Sequence, residues 1–194
     1  MTTAVLKKYK LVIFDWDGTV MDSISKIVNC IRHSALALNI EPPSDTAIKN
    51  IIGMSLELAI EVLFPEDVAH HPALINGYKQ QYRVDTTATP VFDNVENVLS
   101  ALKAQGVILA IATGKGRDGL MRLLEQTQLG RYFSATRTSD EARSKPSPDM
   151  LEQLLAELAI NADEALMIGD TNIDMAMAQA ANIDRIGVTM GGHS

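Results

Sequence analysis

The sequence predicts an α/β fold, in which a Rossmann-like parallel sheet forms the core and an all-helical cap domain is inserted into it. Continuous apolar runs that end abruptly in polar residues indicate buried parallel strands. Helical spacing of apolar residues between those runs indicates right-handed strand–helix–strand units. Residues 21 to about 88 carry helical stripes with no strand pattern, which indicates the insert.

The predicted strands follow the apolar runs. They are residues 11–14, 107–112, 165–168 and a weaker run at 184–189, with a fifth strand expected near 133–138. Between them, leucines recur at helical spacing at positions 120, 123 and 124 and again at 151, 154, 155 and 158. Gly106 and Gly130 stand where two of these helices should end, a place that favours a left-handed residue.

The insert sets the predicted domain boundaries. Residues 1–20 and 89–194 should form the core, and residues 21–88 should form the cap. Small and polar residues cluster near 20–23 and 86–90, so we expect the flexible joints between the two domains there.

Composition excludes several classes of protein. Lys and Arg number 17 against 24 Asp and Glu, and this net charge of −7 argues against a non-specific nucleic-acid binder. Cys30 has no second cysteine, which excludes a disulfide framework and a cysteine metal site. No apolar run is long enough for a membrane span or a signal peptide. We therefore expect a soluble, cytoplasmic protein.

Polar side chains follow three of the predicted strands. Asp15 and Asp17 follow the first, Thr113 the second in chain order and Asp170 a third. Ligands of open α/β sheets bind beyond the carboxyl ends of the strands, so these groups should converge. Residues i and i+2 of an extended segment point the same way, and two close carboxylates need a cation or a shared proton. Aspartates without nearby Cys or His favour a hard divalent ion, most simply Mg²⁺.

Two further features suit a phosphate. The segment from Thr113 to Gly116 opens a helix, where backbone N–H groups and a hydroxyl make an anion site. Lys145 lies just before Pro146 and near Pro148, in a loop stiffened by these two prolines, and could neutralise phosphate charge. An aspartate nucleophile, a divalent ion, a helix amino end and a lysine together fit phosphoryl transfer.

These residues resemble the four motifs of haloacid dehalogenase-superfamily phosphatases, in the same order: DWDGTV at 15–20, Thr113, Lys145 in SKPSPD, and GDTNID at 169–174. The insert resembles the cap of the phosphoglycolate-phosphatase and β-phosphoglucomutase branch. The resemblance implies that Asp15 attacks phosphorus to form an aspartyl-phosphate and that Asp17 acts as acid and then base. It implies that Lys145 neutralises charge. Asp174 would support Lys145 or the water shell of the metal, or would simply occupy the first turn of a helix.

The resemblance also implies the ligand contacts. Mg²⁺ would be held by Asp15, Asp170 and the backbone carbonyl of Asp17. The Thr113 hydroxyl and the Gly114 N–H would hold the phosphoryl oxygens. The expected function is Mg²⁺-dependent hydrolysis of a small phosphorylated metabolite, either phosphoglycolate-like or a sugar phosphate, with no nucleic-acid or membrane partner.

Three alternatives stay open at this point. A phosphomutase of the same branch shares these residues and differs only in the phosphoryl acceptor. A receiver-like phosphate-binding module also uses Asp, Thr and Lys, although it places its aspartate on a mid-chain strand. The third is a catalytically idle protein, because relatives of this kind commonly continue beyond the position of Ser194.

Overall fold

A five-stranded parallel sheet with the order β3-β2-β1-β4-β5 forms the centre of the computed structural model, which describes residues 9–191. The strands are β1 (Leu11–Phe14), β2 (Ile108–Ala112), β3 (Ala135–Arg137), β4 (Ala165–Gly169) and β5 (Asp184–Gly187). The predicted α/β class is confirmed.

Strand β1 lies between β2 and β4 and is buried along its whole length, which explains its unbroken apolar sequence. Phe14 pairs with Ile111 on one side and with Ile168 on the other. The chain therefore leaves these three strands at the same edge of the sheet, and the polar residues that follow them meet there.

Helices cover both faces of the sheet. Alternate residues of β1 belong to two different apolar clusters, with Val12 and Phe14 on one face and Leu11 and Ile13 on the other. The helices that follow the insert are α5 (Val95–Ala104), α6 (Arg117–Thr127), α7 (Asp149–Leu158) and α8 (Asn172–Ala180).

Four helices lie between β1 and α5. They are α1 (Ile24–Leu36), α2 (Asp45–Asn50), α3 (Leu56–Leu63) and α4 (His71–Val84). Their apolar faces form a third cluster that is separate from the two clusters of the sheet. The domain boundaries stay a prediction, and the core ends assigned to 1–8 and 192–194 lie outside the described residues.

Some local predictions needed correction. Strand β5 ends at Gly187, earlier than predicted, and the short helix α2, capped by Ser44, was not predicted at all. The left-handed residue after α6 is Gln128 and not Gly130, whereas Gly106 does adopt a positive φ of 78°.

Across residues 9–191, every helix is too short or too polar to cross a bilayer.

Candidate active site

A fully buried lysine joins two of the predicted site residues. The Lys145 ammonium lies 2.7 Å from Oδ1 of Asp15 and 2.7 Å from Oδ1 of Asp174. All three side chains are almost inaccessible to solvent. Burial alone lowers the pKa of Lys145, but the charges of Asp15 and Asp174 outweigh burial and raise that pKa above its ordinary value. Lys145 is therefore a fixed positive charge beside Asp15.

Asp174 is held in place by its own helix. Its Oδ2 accepts hydrogen bonds from the hydroxyl and the backbone N–H of Thr171, and the Thr171 hydroxyl in turn accepts the N–H of Asp174. This reciprocal capping box starts α8 and directs the other carboxylate oxygen at Lys145. The contact with Lys145 and the position in the first turn of a helix, which the sequence left as alternatives, occur together.

Three acidic side chains meet beside Lys145, one that follows β1 and two that follow β4. Asp15, Asp170 and Asp174 each offer an oxygen, and these oxygens lie within 4.8 Å of one another. Both oxygens of Asp174 already accept hydrogen bonds. Within the part of the chain that the structure describes, the buried Oδ2 of Asp15 has no hydrogen-bond partner. Asp15 thus brings to this acidic cluster a buried oxygen that a bound cation would satisfy.

Two glycines make room for Asp170. A Cβ on Gly18, where φ is +85°, would lie 2.3 Å from Oδ2 of Asp170. A Cβ on Gly191 would lie 2.0 Å from the same oxygen and 2.4 Å from the carbonyl oxygen of Gly18. The carboxylate of Asp170 also accepts a 3.1 Å hydrogen bond from the Thr19 hydroxyl. The backbone thus approaches this carboxylate so closely that only glycine fits at either position.

The electrostatics of the cluster suit a divalent cation. Burial raises the pKa of Asp15 well above its ordinary value, and the negative charges of Asp174 and Asp170 raise it further, whereas Lys145 acts in the opposite direction. A divalent cation beside these carboxylates would favour their ionised form. Oxygen donors without nitrogen or sulfur are what Mg²⁺ prefers, so the residues present fit that ion.

Asp17 has a different environment from Asp15. Its Oδ1 accepts a 2.6 Å hydrogen bond from the Ser23 hydroxyl, and its Oδ2 lies 3.2 Å from the ammonium of Lys115. Its carboxylate is not part of the acidic cluster of Asp15. The metal contact expected of Asp17, through its backbone carbonyl, stays a prediction.

A cavity of about 310 Å³ lies between the strand ends and the inserted helices. Asp15, Asp17, Thr113 and Gly114 line its floor. The Thr113 hydroxyl accepts the N–H of Lys115 at 3.2 Å. A Cβ on Gly114 would lie 2.3 Å from the carbonyl oxygen of Met54, so a loop of the insert covers this end of the cavity directly.

All of the predicted site residues thus converge on one region. Four of them line the cavity, namely Asp15, Asp17, Thr113 and Gly114. The other three, Lys145, Asp170 and Asp174, lie next to Asp15. Sequence analysis did not identify Lys115, Thr171 or Gly191 as site residues. A threonine followed three residues later by an acidic residue, as in Thr171 and Asp174, is a pattern that predicts the amino-terminal cap of a helix. The contact of Gly191 with Asp170 has no signal in the sequence, because it arises only when the chain after β5 folds back over the site.

Comparisons with known proteins identify relatives of this chain. The family described as haloacid dehalogenase-like hydrolase matches residues 12–188. "Probable phosphatase IndB" of Dickeya dadantii is 34% identical over 190 residues, covering 95% of this chain and 83% of that protein. "Phosphoglycolate phosphatase" of Vibrio cholerae is 26% identical, covering 96% of this chain and 87% of that protein.

Solved structures show the same fold. A predicted phosphatase from Clostridium acetobutylicum superposes with a TM-score of 0.85 at 29% identity, covering 96% of this chain and 87% of that one. A hydrolase from Pseudomonas syringae gives a TM-score of 0.86 at 27% identity, covering 95% and 87%.

Proposed function

Because this chain belongs to the haloacid dehalogenase-like hydrolase family and is a phosphatase, we propose that it hydrolyses small phosphomonoesters through an aspartyl-phosphate on Asp15, with Mg²⁺ as cofactor. The observation that carries the proposal is the buried contact of Lys145 with Asp15 at the floor of the cavity. This contact places an ionisable nucleophile next to a permanent positive charge.

In the first step, a carboxylate oxygen of Asp15 attacks phosphorus while the bond from phosphorus to the leaving oxygen breaks. Asp17 gives its proton to that oxygen, so an alcohol departs and Asp15 carries the phosphoryl group. Lys145 stays protonated and offsets the negative charge around Asp15. The separate environments of Asp15 and Asp17 support this division of tasks.

In the second step, water attacks phosphorus and gives a proton to Asp17. The bond between phosphorus and Asp15 breaks, inorganic phosphate leaves, and both aspartates return to their starting protonation states. The hydrogen bond from Ser23 fixes one oxygen of Asp17, and the other oxygen, which lies 3.2 Å from the Lys115 ammonium, is assigned to the proton transfer in both steps.

The residues assigned to bind Mg²⁺ are Asp15, Asp170 and the backbone carbonyl of Asp17, and Asp174 would support Lys145. When bound, the ion would neutralise charge on the phosphoryl group and keep Asp15 ionised. Gly18 and Gly191 let the backbone pack closely around Asp170, which supports its assignment as a ligand.

The Thr113 hydroxyl and the Gly114 N–H are assigned to the phosphoryl oxygens. The cavity is at the small end of the range for ligand pockets, which favours a small substrate. Residues 21–88 would serve as the cap that covers it, with residues 1–20 and 89–194 as the core. Phosphoglycolate-like esters and sugar phosphates are the candidate substrates, and relatives named phosphoglycolate phosphatase support the first.

The test is phosphate release from a panel of phosphorylated metabolites with Mg²⁺, run in parallel with Asp15→Asn. We expect release by the wild type, and loss of at least about 1,000-fold in the variant because its nucleophile is gone. Release by Asp15→Asn at the wild-type rate would overturn the mechanism. β-Glucose 1-phosphate distinguishes the mutase, which would yield glucose 6-phosphate in place of inorganic phosphate.

A further inference from the structure

Lys115 is a largely enclosed cation that lines the cavity beside Asp17. Its side chain is only 10% exposed, and its ammonium lies 3.2 Å from Oδ2 of Asp17. Burial alone lowers the pKa of Lys115, but the charge of Asp17 and the contact with Tyr82 outweigh burial and raise that pKa above its ordinary value. Lys115 therefore stays protonated, and the two steps of the proposed hydrolysis give this ammonium no task.

The carboxyl group of Asp17 is held at both of its oxygens. The Ser23 hydroxyl donates a 2.6 Å hydrogen bond to Oδ1, and the Lys115 ammonium contacts Oδ2. A single hydrogen bond leaves a carboxyl group free to turn about that contact, whereas contacts at both oxygens fix its plane. A protonated carboxyl oxygen keeps a lone pair that accepts a hydrogen bond. Lys115 can therefore hold Asp17 both before and after Asp17 gives up its proton.

Tyr82, which belongs to α4 of the insert, holds Lys115 in turn. The Lys115 ammonium stands 4.8 Å from the centroid of the Tyr82 ring, a cation–π contact, and it donates a hydrogen bond to the Tyr82 hydroxyl. The Tyr82 ring is itself fixed within the insert, because Lys26 stacks on it at 4.9 Å and the Tyr78 ring packs against it at 5.7 Å. Lys115 thus connects a fixed aromatic side chain of the insert to the carboxyl group of Asp17.

We propose that Lys115 is a positioning residue for Asp17, that it orients the carboxyl group for proton transfer to the leaving oxygen, and that Tyr82 keeps Lys115 in place. This inference rests on the proposed phosphatase function. Lys115 exchanges no proton in either step, and its ammonium only orients the group that does. The loss of Lys115 should therefore slow an ester more, the more its leaving oxygen needs the proton of Asp17.

Two esters with different leaving groups test this role. The leaving oxygen of ethyl phosphate must gain a proton, whereas p-nitrophenolate departs from p-nitrophenyl phosphate without one. The measured quantity is the ratio of kcat/KM for ethyl phosphate to kcat/KM for p-nitrophenyl phosphate. We expect Lys115→Met to lower this ratio by about 10- to 100-fold, because a misplaced general acid costs that much. Tyr82→Phe, which removes only the hydroxyl contact with Lys115, should lower it by about 2- to 10-fold.

Two controls assign the effect to the contact with Asp17. Lys79→Met removes the same charge from the cavity wall, but Lys79 is 55% exposed and pairs with Glu57, so the ratio should not change. The double variant Asp17→Asn/Lys115→Met should have the same ratio as Asp17→Asn within about twofold, because no acid is left to position. A loss of folding alone would lower kcat/KM for both esters and leave the ratio unchanged.

The outcomes separate the two proposals. If the wild type releases phosphate from neither ester, the phosphatase proposal fails and the positioning role fails with it. If Asp17→Asn lowers the ratio and Lys115→Met does not, the positioning role alone is overturned. An equal loss for both esters that persists in the Asp17→Asn background also overturns it, since Lys115 would then bind the phosphoryl group that both esters share. Where circular dichroism shows that Lys115→Met does not fold, Tyr82→Phe decides, and an unchanged ratio in that variant contradicts the proposal.

Discussion

Asp174 accepts a 2.7 Å hydrogen bond from Lys145 at complete burial, although the two residues are 29 positions apart in the chain. The contact ties α8 to the loop that carries Lys145. A buried ammonium is costly unless it is paired, so this carboxylate stabilises the fold as well as the site. The sequence analysis assigned Asp174 to the support of Lys145 but did not predict its contribution to the stability of the fold.

The first prediction concerns Asp174→Ala. The variant leaves Lys145 with Asp15 as its remaining ion-pair partner and removes the capping box of α8. We expect the free energy of unfolding to fall by about 2–4 kcal/mol, because one partner of a buried charge is lost. Urea unfolding followed by circular dichroism measures this. Asp163→Ala, at an exposed position of the 3-10 helix Ala162–Glu164, is the control and should change stability by less than about 0.5 kcal/mol. Equal effects in the two variants would contradict the structural role of Asp174.

The second prediction concerns Asp17→Asn, which cannot donate a proton to the leaving oxygen. We expect kcat/KM for ethyl phosphate to fall by about 100- to 10,000-fold, because a general acid contributes that much. p-Nitrophenyl phosphate has a leaving group that departs without protonation, so its loss should be at least about tenfold smaller. Steady-state kinetics with both esters gives the comparison. An equal loss for both would remove Asp17 as the general acid.

Much of the fold could be predicted from the sequence, because the central strands β1, β2 and β4 are largely buried and appear as unbroken apolar runs. Strand β1 shows this best, since Leu11–Phe14 is apolar throughout and ends at Asp15. The stripe of Ile24, Ile27, Val28 and Ile31 likewise marked α1, and all four residues are buried. Helix α2 escaped prediction because six residues are too few to show a helical period.

Site residues that directly follow the parallel strands could be predicted, because their place in the chain determines where they lie in the fold. Residues that follow parallel strands must meet at one edge of the sheet, so Asp15, Thr113 and Asp170 could be placed together from their motifs. Contacts across the cavity were not predictable in this way. The neighbours of Lys115, which are Asp17 and Tyr82, depend on how the insert folds over the sheet, and no local pattern encodes that.

The third prediction uses two glycines of the same carboxyl-terminal segment. Gly191→Ala would place a Cβ 2.0 Å from Asp170, whereas a Cβ on Gly187 would meet nothing nearer than the sulfur of Met175 at 4.0 Å. We expect Gly191→Ala to displace the carboxylate, lower kcat/KM by at least about tenfold and raise the Mg²⁺ concentration needed for half-maximal activity. Gly187→Ala should match the wild type in both respects. A Gly191→Ala enzyme with unchanged Mg²⁺ dependence would show that Asp170 is not a ligand.

The fourth prediction concerns pH and Mg²⁺. The pKa of Asp15 is raised by burial and by neighbouring carboxylates, so part of the metal-free protein holds a proton on Asp15 below that raised pKa. Mg²⁺ must displace this proton, and its affinity should therefore increase as pH rises and level off above the pKa. Isothermal titration calorimetry of Mg²⁺ binding in two buffers of different ionisation enthalpy measures the proton released. We expect release by the wild type at the lower end of the pH range in which it is folded, and little release by Asp15→Asn. Equal proton release by the two proteins would show that another group carries the coupled proton.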